Sequence, residues 1–176
     1  MKMTKSNSHP HRSFDDLIEI LSKEISLYDC LDEVLKKKQE AIIMGNIEEL
    51  REYVLEEQSL IQKALSVAHE RKNHVIALGM MYETPEEEPR LKTIIDIAPS
   101  PYSIKLMNLW HRLKAILDGI SRVNRENSYL LNSSIEHVRG LVHLFLQADE
   151  KSSKIYNYDG VVDVPEENNK VLDCHI

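Results

Sequence analysis

The sequence predicts an all-α protein, a long-helix antiparallel bundle with coiled-coil-type packing, made of a helical hairpin and one very long third helix. Three observations carry that prediction. The composition is 42% hydrophobic and 29% charged, with only 5 Gly and 2 Phe, a profile of helix formers poor in the residues that sheets and turns use. Apolar residues recur at gaps of three and four over three separate stretches, which is helical spacing. Finally, four of the 6 prolines fall between Met80 and Pro101, so the helix-breaking residues are confined to one connector.

The first helix is predicted over about 14–44. Ser13 stands where an N-cap is wanted, and Asp15 and Asp16 bring negative charge to the first turn, where the helix dipole favours it. Leu17, Leu21, Tyr28, Leu31, Leu35 and Ile42 form its stripe, flanked by Ile18 and Ile25. Gly45-Asn46 closes the helix, because both residues tolerate left-handed backbone. A break this short implies an antiparallel hairpin into a second helix over about 47–78. The second stripe runs Ile47, Leu50, Val54, Ile61, Ala64, Ala68, Val75 and Leu78, beside Leu60, Leu65 and Val67, and Gly79 supplies the stop.

The connector, with Pro85, Pro89, Pro99, Pro101 and the run Glu86-Glu87-Glu88, has room for a short helix over about 91–98. Its length allows the next helix to cross over rather than fold straight back. That next helix, over about 102–153, has the strongest periodicity in the chain. Tyr102, Leu106, Leu109, Leu113, Ile116, Ile120, Val123, Asn127, Leu130, Ser134, His137, Leu141, Leu144 and Ala148 alternate steps of four and three without a break, an a/d heptad seam. Trp110, Leu117, Leu131, Val138 and Phe145 widen the face enough for two neighbours. Together these elements define a helical bundle over 14–153. The periodicity is lost over 154–176, where Asp159, Asp163, Glu166, Glu167 and Asp173 predict a flexible acidic tail.

Charge and cysteine usage bound the function classes. A formal net charge of −7 and a pI near 5.6 oppose a general nucleic-acid role or a membrane-surface role, since both need a basic surface. No stretch has the length of uncharged residues that membrane insertion requires, and Met1 to Ser13 has no apolar run to form a signal core. Cys30 and Cys174 make neither a CxxC pair nor a disulfide framework, so a cytoplasmic location is expected.

No catalytic constellation is legible. A di-iron carboxylate bundle needs Glu-x-x-His pairs, and none of the 8 histidines has an acid three residues before it. Glu70 and His74, four apart, have the spacing of ordinary helix-surface electrostatics. His9 and His11 lie in a polar terminus, and Cys174-His175 lacks the second pair that zinc requires. There is no phosphate-binding glycine loop and no nucleophile elbow, so no metal, no cofactor and no enzymatic activity are expected.

Two places remain as candidate binding residues. Asn124, Asn127, Ser134 and His137 form the polar middle of the long helix, where a seam Asn either fixes register or meets a partner. Tyr156 and Tyr158 stand in an otherwise polar segment that ends in Asp159-Gly160. They either dock the end of the helix or serve as aromatic anchors in a recognition segment. Trp110 on the flank is a core residue or, if exposed, an anchor.

The run Val123-Asn124-Arg125-Glu126-Asn127-Ser128-Tyr129-Leu130-Leu131, followed by Tyr156-Asn157-Tyr158-Asp159-Gly160, resembles the FlgN family of flagellar export chaperones. An Asn-x-x-Asn-x-x-Leu-Leu core with a later Tyr-x-x-Asp-Gly carries the resemblance. The Gly-Asn turn and the run Glu56 to Ile61 agree with it, over residues 14 to 162 in all. The resemblance implies a cytoplasmic chaperone of flagellar type III secretion. It would bind C-terminal helical segments of the hook–filament junction (hook-associated) proteins, prevent their premature assembly and deliver them for export. It further implies contact with the export gate or the export ATPase, and partner binding through Asn124, Asn127, Leu131, Tyr156, Tyr158, Asp159 and Gly160. The competing reading from the residues alone is a coiled-coil adaptor or structural protein that self-associates through the long seam.

Overall fold

The computed structural model describes the backbone of residues 9–152 and the side chains of residues 13–147. The described residues form helices and connecting turns, with no strand among them. In order these are α1 (His9–Met44), α2 (Ile47–Met81), α3 (Leu91–Ile97) and α4 (Tyr102–Ser152). The fold is all-α, and the very long helix is the fourth in the chain rather than the third, because the apolar run inside the connector is a helix of its own. The chain divides into two units, Met1–Leu131 and Asn132–Ile176.

In the first unit α1 and α2 form an antiparallel hairpin. Its turn places Gly45 at φ +67°, with Gly45 N–H on Ile42 O at 3.2 Å and Asn46 N–H on Ala41 O at 2.9 Å. That pair of bonds satisfies the last carbonyls of α1 and needs a left-handed residue, which glycine adopts without steric cost. Asn46 then caps α2, its side chain accepting from Glu49 N–H at 3.3 Å. Both residues work as their types predict. Ser13 does not: α1 already begins at His9, so Ser13 is helical and not its cap. Pro10 in the first turn is compatible with that earlier start, since an N–H there has no acceptor within the helix.

Gly79 is likewise not the stop of α2, which runs on to Met81. The turn instead uses Glu83 at φ 51°, with Thr84 N–H on Gly79 O at 2.9 Å and Glu83 N–H on Met80 O at 3.4 Å. The bonding is the same as at Gly45, but a non-glycine residue carries the left-handed strain. Gly79 has a different duty. A Cβ there would lie 2.4 Å from Pro89 Cγ and 2.9 Å from Thr84 Oγ1, so glycine lets the connector close onto α2.

The direction of α4 within this unit follows from its contacts with α1. Tyr102 OH donates to Asp15 at 3.3 Å, Arg112 Nη2 to Asp29 at 2.8 Å, and Asn127 Nδ2 to the Leu35 carbonyl at 2.9 Å. Residue numbers rise together, so α4 lies parallel to α1. It therefore folds straight back from the end of α2, and the connector does not carry it across the bundle. α3 closes that end: Leu91, Ile94 and Ile95 are buried with Phe14, Leu17 and Leu78. Phe14 is fully buried, its ring centroid 5.5 Å from both Tyr82 and Tyr102. Each such large apolar side chain contributes about 1.5–3 kcal/mol by leaving water. A smaller cluster of Leu31, Leu35 and Val123, with Leu60 and Ile120 against it, lies further along the same three helices.

Candidate functional site

The long seam behaves differently along its length. In the first unit Leu106, Leu113, Val123 and Asn127 are buried, and Tyr102, Leu109, Ile116, Ile120 and Leu130 are partly so. Heptad spacing thus reports a real packing face here. Asn127 is 1% exposed and donates its amide to Leu35 O, while its Oδ1 has no hydrogen-bond partner. Its position is the register-fixing one, facing α1. Asn124 is exposed and Leu131 half-buried. Beside them Gln39, Arg125, Glu126, Tyr129 and Leu130 line an open groove of about 440 Å³, with Tyr129 projecting into solvent.

The second unit, by itself, is described as the helical residues 132–152. All its described side chains, 132–147, are exposed. Ile135, Val138, Leu141, Val142, Phe145 and Leu146 are large apolar members of that set, Phe145 at 72%. At 100° per residue these six fall within an arc of about 140°, the width of one amphipathic face. Ser134, His137 and Leu144, which the heptad places on the seam, are exposed as well. An apolar surface of this kind marks an interaction site rather than scattered surface hydrophobics. Tyr156, Tyr158, Asp159 and Gly160 lie outside the described residues.

Ionisable groups inside the first unit are tied to structure. Glu24, 1% exposed, receives Arg71 Nε at 2.6 Å and Nη2 at 3.3 Å, a two-pronged pair between α1 and α2. Lys38 Nζ meets Glu57 at 2.5 Å across the same interface. Burial, then the nearby Glu24 carboxylate, raises the Tyr28 phenol above its ordinary value. His74 Nε2 lies 2.7 Å from Ser13 O in a polar pocket lined also by Asp16, Glu19, Lys23 and Glu70. Among the described residues no group of three His, Cys, Asp or Glu could hold a metal ion. Trp110 is half-buried against the main cluster, with Lys92 and Lys114 each 6.0 Å from its ring centroid.

Sequence reasoning missed one surface. Ile47, Ile61 and Leu65, taken with the core side of α2, are exposed, as is Leu55. The residues that α2 buries are Ala64, Val67, Val75, Leu78 and Gly79. Apolar residues cover two arcs of this helix, and spacing alone does not distinguish the packed arc from the open one. Charge does not separate them either: Glu57 and Arg71, which pair across to α1, lie on the packed arc.

These features define a class, an all-α helical bundle that leaves apolar helix faces open to solvent. A scan against family models matches residues 3–162 to the family described as FlgN protein. The chain belongs to the FlgN family, and its general role is that of a flagellar export chaperone. No curated protein and no solved structure matches it. No helix among the described residues is long and apolar enough to cross a membrane.

Proposed function

We propose that this chain is a cytoplasmic chaperone of flagellar type III export that binds the C-terminal helical segments of hook–filament junction (hook-associated) proteins. It holds them apart until export and hands them on to the export gate or the export ATPase. The observation that carries this reading is the exposed apolar surface of residues 135–146. An unfolded client segment with amphipathic periodicity gains a helix-in-groove interface by laying its apolar side on that surface. Burial of the apolar side chains offsets the ordering of the client chain. Within the first unit, Asn124 and Leu131 are further client-binding residues in this reading. The residues Tyr156, Tyr158, Asp159 and Gly160 supply the second contact, with the two tyrosines as aromatic anchors.

The test is a calorimetric titration with C-terminal peptides of the junction proteins from the same organism. Saturable binding with a negative heat-capacity change is expected, as apolar burial requires. Leu141→Glu combined with Phe145→Glu should weaken it by at least about tenfold, or about 1.4 kcal/mol. A folded protein that binds none of the peptides at high micromolar concentration would sink the proposal. The unbroken a/d continuation through Leu141 and Leu144 also favours a second reading, self-association as a coiled-coil adaptor. A mass that doubles with concentration, and reverts in the same double variant, would support it.

A further inference from the structure

The outer face of α4 in the first unit carries positive charge that no ion pair with a described residue neutralises. Trp110, Lys114, Leu117, Arg122, Arg125 and Tyr129 fall within an arc of about 140° at 100° per residue. That arc is centred about 135° around the helix from the mean direction of Leu106, Leu113, Val123 and Asn127, which α4 buries. From Trp110 to Tyr129 it runs about 28 Å along the axis. Across the helix it passes from apolar to basic. Leu117 and Trp110 lie on the edge nearer the core, followed by Lys114 and Arg125, then Tyr129 and Arg122. Trp110 is half-buried and the other five are exposed, Leu117 at 37% and Tyr129 at 74%.

At the Trp110 end two elements bring cations to one ring. Lys92 comes from α3 and Lys114 from the next turn of α4, each with its Nζ 6.0 Å from the indole centroid. The exposed His111 ring stands edge-on to the same indole, 4.8 Å between centroids. Lys92, Lys114, Arg122 and Arg125 make no ion pair with a described residue. Asp118 is the one acid in the arc over 110–129, four residues from both Lys114 and Arg122, and it pairs with neither. Asp96, one turn on from Lys92, makes no ion pair with it either. Glu126 lies outside the arc and accepts from Gln39 at 3.2 Å. The face therefore holds surplus positive charge on a chain whose formal net charge is −7. The open surface of residues 132–147 has no such surplus, since it carries one acid and one permanent base, Glu136 and Arg139.

We propose that the outer face of α4 from Trp110 to Tyr129, with Lys92 of α3, is a docking face for an acidic amphipathic helix of a partner protein. The partner's apolar side covers Trp110 and Leu117, and its Asp or Glu edge runs along Lys114, Arg125 and Arg122. Carboxylates at the Trp110 end meet Lys92 and Lys114 together. A nucleic acid is the wrong occupant, because the acidic chain as a whole repels a polyanion and phosphates have no apolar side for Leu117. Charge complementarity also predicts selection: this face rejects basic amphipathic helices, which the open surface of residues 132–147 has no electrostatic reason to reject.

The test uses the full chain and a synthetic helical peptide of roughly 18 residues, built from Leu, Ala and Glu at helical spacing. Its controls are the counterpart with Lys for Glu, the Glu peptide scrambled out of helical spacing, and a single-stranded DNA oligonucleotide. Saturable binding of the Glu helix that weakens with added salt is expected. Replacing Lys114, Arg122 and Arg125 together by Glu should weaken it at least tenfold, and the triple Gln variant serves if charge reversal prevents folding. Leu117→Ser should weaken it as well, while Leu141→Ser with Phe145→Ser should leave the salt-sensitive binding unchanged. Equal binding of the Lys helix, the scrambled peptide or the oligonucleotide would overturn the proposal. So would loss of binding only in the Leu141/Phe145 variant. Two further results name another occupant and overturn it too. One is a dimer in the absence of peptide that the triple variant dissolves, and the other is tenfold tighter binding once Lys154 to Ile176 is removed.

Discussion

Asn127 is the residue whose role changes most on passing from sequence to structure. Its spacing marks it as a seam residue, and its neighbours Asn124 and Leu131 make it look like part of a recognition motif. In the folded unit it is buried, with its amide donor on Leu35 O and its own carbonyl oxygen unpartnered. The Leu35 carbonyl sits in a helix interior and accepts from its own helix as well, so the bond adds little there. The stranded Oδ1 carries a desolvation penalty of about 1–3 kcal/mol. Asn127→Leu should therefore leave stability unchanged or raise it by up to about 2 kcal/mol in denaturant unfolding. A loss of several kcal/mol would show instead that the hydrogen bond is a net stabiliser. Glu24 and Arg71 illustrate the opposite case, a buried charge fully met by its partner, which periodicity could not reveal because neither residue type is apolar.

At the scale of elements, existence and type were legible and the ends were not. Helical spacing located α1, α2 and α4, and the short apolar run in the connector marked α3. The hairpin turn was readable because Gly45-Asn46 has a local cause, a left-handed residue followed by a capping side chain. The end of α2 was misplaced because its left-handed residue is Glu83, which has no sequence signature for that backbone. Glu83→Gly removes a steric cost of about 1 kcal/mol and should raise the thermal midpoint by a few degrees. Gly79→Ala should lower it, since its Cβ would fall on the Pro89 ring. If Gly79→Ala is neutral, the connector is free to move away, and its close approach to α2 does not matter to stability.

For the whole molecule, the seam of α4 is continuous in sequence, but among the described residues it is buried only over 102–131. Those residues hold the first unit together, and residues 132–147 offer the same kind of side chain to solvent. The tail prediction belongs at this scale. Removing Lys154 to Ile176 should weaken client binding or delivery while the far-ultraviolet helical signal per folded residue stays the same. Loss of cooperative unfolding on truncation would make that segment part of the fold. Client binding through residues 135–146 and the contribution of the tail are separable by experiment because their changes lie on different residues.

The sequence by itself determined the helical class, the hairpin, the family and the absence of a recognisable catalytic motif. Each of these rests on local chemistry: helix propensity, spacing, turn residues and short motifs. Which apolar residues are spent on packing and which remain open was decided only by tertiary structure. Asn127 and Leu141 share one heptad pattern, as Val67 and Ile61 share one apolar helix. Periodicity records that a side chain is suited to an interface, while its burial depends on which helices lie alongside it.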